Sequence, residues 1–122
     1  MPLVDIDISN HDSFLPDEID AFLCEADLRV SQFLQSSPRR ATGFVPSDFK
    51  SVYHALKVIT DENLATGTSF CEWGSGFGVV ASLASMLDFM ACGIEIEEEL
   101  VDASRSLAED FGLSLEFVQG SF

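Results

Sequence analysis

The chain has 122 residues, 47% of them apolar and eleven of them phenylalanine, which is enough burying surface to exclude a disordered segment. Acidic residues outnumber basic ones 21 to 6, for a formal net charge of −15, and such a surface repels nucleic-acid phosphates. The longest apolar stretch, residues 79–94, is broken by Asp88 and too short to span a bilayer, and the first residues carry no signal-peptide pattern.

A cytoplasmic protein with no membrane segment is therefore expected. Cys24, Cys71 and Cys92 are odd in number and show no C-x-x-C spacing. They read as small apolar residues in a reducing compartment, Cys71 and Cys92 inside buried strands, with no disulfide and no metal site. The acid-rich faces either keep the chain in solution or attract a cationic substrate.

In chain order, residues before about 16 are acidic and weakly patterned. Asp5 and Asp7 alternate there with Val4, Ile6 and Ile8, which is compatible with a short strand, and His11 carries no signal. Pro16 suits the first turn of a helix, with Asp17, Glu18 and Asp20 near its positive end. Ile19, Phe22, Leu23, Ala26, Val30, Phe33 and Leu34 then recur at helical spacing, until Ser36-Ser37-Pro38 stops the helix. Arg39 and Arg40, an adjacent basic pair, stand either in a solvated loop or against a substrate or cofactor carboxylate. Thr42-Gly43-Phe44-Val45-Pro46 is a stiff connector, and Ser47 is a good N-cap. Phe49, Val52, Tyr53, Leu56 and Ile59 form the apolar face of the next helix, with His54 on its polar side.

The remainder alternates strand and helix: a strand over 68–73, a helix over 77–87, a strand over 90–96, a helix opened by Glu97-Glu98-Glu99, and a strand over 114–118. Leu100, Val101, Ala103, Ser104, Leu107 and Phe111 can face the sheet, and Gly112 is a natural residue just beyond a helix end. This β-α-β-α-β alternation predicts a parallel sheet with right-handed crossovers, preceded by two helices. Its focus is Phe70-Cys71-Glu72-Trp73-Gly74-Ser75-Gly76-Phe77-Gly78. An acid closes the strand, and three alternating glycines permit positive φ and a close ligand. The following helix turns its free N–H groups to the same place. The dinucleotide fingerprint G-x-G-x-x-G/A is not met, because Val79 stands at its third small position.

The stretch reads E-x-G-x-G-x-G instead, and it resembles the first motif of class I S-adenosylmethionine (SAM)-dependent methyltransferases. Met90-Ala91-Cys92-Gly93-Ile94-Glu95-Ile96 supplies a second match, with an acid at the strand end about twenty residues on. Leu115-Glu116-Phe117-Val118-Gln119-Gly120-Ser121-Phe122 is a third and partial match, with Ser121 where the family often has an aspartate for the adenine. The resemblance implies an N-terminal acidic arm and helix over 1–46 and a Rossmann-like, SAM-binding half-domain over 47–122 that lacks the C-terminal strands of a full methyltransferase domain.

Glu95 would then accept from both ribose hydroxyls. Glu72 would receive the cofactor's ammonium, and Gly74, Ser75, Gly76 and Gly78 would form the backbone bend. Phe77 or Ile96 would lie against the adenine or ribose, Ser121 near the base, and Phe44, Ser47 and Tyr53 in the segment that folds over the cofactor. No residue is assigned as a catalytic base. The implied function is methyl transfer from SAM to an unidentified acceptor, a small molecule or protein sooner than nucleic acid. A non-catalytic SAM or nucleoside binder and an NAD- or flavin-dependent oxidoreductase stay open as alternatives. The chain reads as a fragment or a true half-domain, and an unprotected edge on the first strand would make it dimerise or aggregate.

Overall fold

A computed structural model describes residues 14–36 and 48–121. Helix α1 (Asp17–Ser36) starts directly after Pro16, whose carbonyl accepts from the Asp20 amide at 2.9 Å, with Asp17, Glu18 and Asp20 in its first turn. Its buried residues are Ile19, Phe22, Leu23, Ala26 and Val30, the stripe that the helical spacing predicts. Helix α2 (Phe49–Asp61) is capped by Asp48, whose side chain accepts from the Ser51 amide at 3.2 Å. The expected cap, Ser47, lies outside the described residues, as do Arg39, Arg40 and Phe44. Strand β1 (Ser69–Trp73), helix α3 (Val79–Met86), strand β2 (Met90–Glu95), helix α4 (Glu98–Asp110) and strand β3 (Glu116–Gln119) complete the order.

Helices α2, α3 and α4 end in one device. The residue after the C-cap turns left-handed, Asn63 at φ 54°, Asp88 at φ 70° and Gly112 at φ 67°. Each donates its amide back into the last turn, to Thr60, Ser85 and Glu109, while the next residue donates to Ile59, Ala84 and Ala108. These paired bonds satisfy carbonyls that a helix end otherwise leaves open, and an apolar residue follows each time: Leu64, Phe89 and Leu113. Gly112 was legible for this role. Asn63 and Asp88 were not, because a polar residue in a left-handed turn leaves a weaker mark than glycine.

The three strands are parallel in the order β1-β2-β3, an α/β architecture of Rossmann type. The order β1-β2-β3 moves in one direction across the sheet, and two crossovers of the usual right hand then put α3 and α4 on one face. Along that face lie Phe70, Glu72, Ala91, Gly93, Glu95 and Phe117, all buried or half-buried. The alternate residues turn the other way, with Met90 75% exposed, Trp73 65% and Val118 47%. The expectation that Cys71 and Cys92 lie in buried strands is corrected here: Cys71 is exposed and Cys92 half-buried. Parallel strands are ordinarily covered on both sides, and among the described residues these are covered on one.

Helix α2 packs beside α3, and α1 lies across α3 and the end of α4. Phe22 meets Phe111 edge-on with centroids 5.2 Å apart, and Phe33 meets Phe77 at 5.1 Å. Arg29 ties the same helices electrostatically, bonded to Glu25 in its own helix and to Asp110 at the end of α4. Ile19, Phe22, Val30, Tyr53, Phe77, Leu83 and Leu107 share one core.

Close approach is what two glycines supply. A Cβ on Gly78 would lie 2.4 Å from Phe117 Cε1 and 3.0 Å from Ser104 Cβ, and one on Gly93 would lie 2.9 Å from Phe117 Cδ1. At Gly76, by contrast, no atom of the described residues lies within 4 Å of that position, although its φ of 55° is also left-handed. Gly76→Ala is therefore expected to cost only the conformational penalty, about 1–2 kcal/mol. Gly78→Ala adds overpacking, a further loss of about 1–3 kcal/mol. Urea unfolding of the two variants checks the difference, and equal losses would contradict the packing role of Gly78.

Candidate ligand site at the glycine bend

The bend between β1 and α3 is held from three directions. Gly74 and Ser75 both donate their amides to the Ile94 carbonyl, at 2.8 and 3.0 Å, so β2 anchors the turn as it leaves β1. The Glu95 carboxylate reaches across from the β2 tip. One oxygen accepts from the Gly76 amide at 3.0 Å and the other from the Glu97 amide at 2.9 Å. From behind, the Ser104 hydroxyl on α4 lies 2.9 Å from the Gly76 carbonyl and 2.8 Å from that of Leu100, able to donate to either. Glu72, one strand over, accepts from the Ala81 amide in the first turn of α3 at 3.2 Å.

The two acids thus converge on one bend from neighbouring strand tips, on the same sheet face. Glu95 is only 8% exposed. Two of its roughly four lone-pair positions are used by amides, which leaves acceptor capacity for two further donors. Among the described residues, nothing covers the Gly76 side of the bend. Ile96, 65% exposed, stands just past the β2 tip, and its carbonyl accepts from Gln119 Nε2 at 3.3 Å. Ser121 is exposed beyond β3.

Other expected contacts are corrected. Phe77 is 5% exposed and turned into the core against Phe33, so its ring is not available to an adenine or ribose. Phe77 belongs to the same core as Val79 and Leu83. Ser75 is buried, with its hydroxyl directed at Gly93 and without a hydrogen-bond partner among the described residues. The bend's amides are likewise less free than expected, since those of Gly74, Ser75, Gly76 and Gly78 all donate within the protein. Tyr53 is a core residue. Helical spacing placed Ser104 on the sheet side, but the supporting role of Gly93, Ser104 and Phe117 together was not legible, although a glycine inside a strand, as Gly93 is, is a signal of close approach.

Burial pushes the Glu72 carboxyl up to about 7 from an ordinary 4.5, against the opposing pull of the Ala81 amide. The folded chain holds this proton more tightly than the unfolded chain does. The stability it confers is thus fully present below pH 4.5 and is lost as pH rises to about 7. The wild type is expected to lose stability across that window more steeply than Glu72→Gln, whose side chain does not titrate. Urea midpoints measured against pH check this, and parallel curves would refute it.

No protein-family model matches the sequence, and no curated protein does. Among solved structures, the fold is similar to that of Pyrococcus abyssi tRNA (uracil-54, C5)-methyltransferase in complex with S-adenosyl-L-homocysteine, at a TM-score of 0.50 and 18% identity. The likeness covers 63% of this chain and 19% of that one, so the chain spans a minor part of the enzyme it resembles. At that identity, what is shown is a methyltransferase-like fold.

Proposed function

We propose that the chain binds S-adenosylmethionine at the glycine bend and forms the cofactor-holding part of a methyltransferase. The observation that carries this reading is the convergence of Glu72 and Glu95, from adjacent strand tips, on a bend whose Gly76 side is open among the described residues. Ligands of open parallel sheets bind beyond the carboxyl ends of the strands, where these groups stand. The S-adenosyl-L-homocysteine held by the methyltransferase of similar fold supports the same choice of ligand.

Glu95, already oriented by two amides, has lone pairs left for the two ribose hydroxyls. Glu72 has one oxygen beyond the Ala81 bond and a proton held tightly in the absence of a cation. An ammonium beside it would favour the carboxylate and expel that proton. Ile96 offers an apolar surface at the same tip. Bound SAM would supply a methyl already activated by the sulfonium, so the protein's task is to position an acceptor and exclude water. The enzyme of similar fold acts on tRNA by its name, but a chain of net charge −15 is poorly suited to a phosphate polymer, which favours a small molecule or a protein as acceptor.

Calorimetry is the test. SAM and S-adenosylhomocysteine are expected to bind and NAD not to, whereas NAD binding without SAM binding would favour an oxidoreductase. Affinity for SAM is expected to rise with pH up to about 7, with proton release, and to lose that dependence in Glu72→Gln. Glu95→Gln keeps an acceptor oxygen but not its charge, and is expected to weaken SAM binding by about 1–2 kcal/mol. Transfer of a labelled methyl group separates an enzyme from a non-catalytic binder.

A further inference from the structure

The sheet face turned away from the glycine bend holds a second feature, independent of the nucleoside reading. Cys71 on β1 and Cys92 on β2 are directly paired in register, and Glu116 on β3 is the next residue across. Successive residues of a strand point to opposite faces, so these three share the face that α3 and α4 leave open. Cys71 is exposed. An open concavity of about 740 Å³ lies over them, lined also by Ser69 and Met90. Two other hollows, of about 220 and 230 Å³, are smaller, and none of residues 74–78 lines the concavity.

We propose that Cys71 and Cys92 form a two-thiol binding site for a soft, thiophilic centre of low coordination number, of which trivalent arsenic is the type. Thiolate ligands select soft centres over hard ones. Among the described residues no group of three or more His, Cys, Asp or Glu is arranged for a metal ion, so a four-ligand zinc site is not what this pair offers. The neighbouring Cys71 is the main reason the Cys92 thiol is held above its ordinary range, with burial and the charge of Glu116 adding to it. Phenylarsine oxide exchanges its oxygen for the two sulfurs: two As–S bonds form, and the thiol protons leave with the oxygen as water. Arsenic stays trivalent, and no oxidant or reductant is required. The second As–S bond is made within one molecule, which is why a pair retains the ligand far better than a single thiol.

The chain itself provides the control, because Cys24 is exposed on α1 and its thiol faces Asp20, one turn back. Trypsin cleavage after Lys57 and Arg105 releases residues 58–105 with both paired cysteines and without Cys24. After treatment of the whole folded chain with phenylarsine oxide, that peptide is expected to carry one phenylarsenic group and no thiol open to N-ethylmaleimide. Cys71→Ser and Cys92→Ser are each expected to weaken retention by about 100-fold, and Cys24→Ser to leave it unchanged. Addition of two maleimides to the peptide from the arsenical-treated wild type would overturn the proposal, without depending on the folding of any variant. Loss of retention in Cys24→Ser alone would overturn it as well.

Discussion

The ring of Phe117 occupies space that two side chains would otherwise fill. It lies against Gly78 at the start of α3 and against Gly93 in the middle of β2, both within 3.0 Å of where a Cβ would stand. That seat brings the first turn of α3, the centre of the sheet and α4 into contact at one point. Protein interiors are packed too tightly to absorb an extra carbon there without displacement. The glycine bend follows from it: because Gly78 can lie flat on the ring, the bend stays low over the β2 tip, within reach of the Ile94 carbonyl and the Glu95 carboxylate. The family resemblance singles out the third glycine as part of a ligand turn. Its physical duty is to support that turn from behind, while Gly76 keeps the open side.

The two acids of the bend are held by backbone amides, in a chain with few cations to offer. Amide donors orient a carboxylate but do not neutralise it, and the consequence differs between the two. Glu95 has an amide on each oxygen. Glu72 has one amide bond and substantial burial, which leaves its charged form under-compensated. On the proposed reading, this condition suits a ligand that brings positive charge and spare donors, with Glu95 held in place by the backbone and Glu72 as the electrostatic contact.

Much of this was readable in advance. The helical stripe from Ile19 to Val30, the strand ending at Trp73, the glycine spacing, the strand ending at Glu95 and the helix end at Gly112 each rest on a local rule that involves near neighbours only. Phe77 shows where such rules end. As an aromatic residue inside a glycine-rich turn it invites a role at the ligand, yet Phe33, forty-four positions earlier in the chain, claims it for the core. Cys71 and Cys92 show the reverse. Apolar strands suggest burial, and the topology leaves one sheet face uncovered among the described residues.

The sequence by itself determined the periodicity and the punctuation: which segments are helix or strand, where the chain bends, and which acids close the strands, because these depend on side-chain spacing and backbone freedom within a few residues. Only the tertiary structure decided which face each strand presents, which glycine carries a packing load, which amides are already spent, and that two distant cysteines stand side by side. Those outcomes depend on the direction of successive crossovers and on what residues far apart in the chain leave room for. No local pattern records either one.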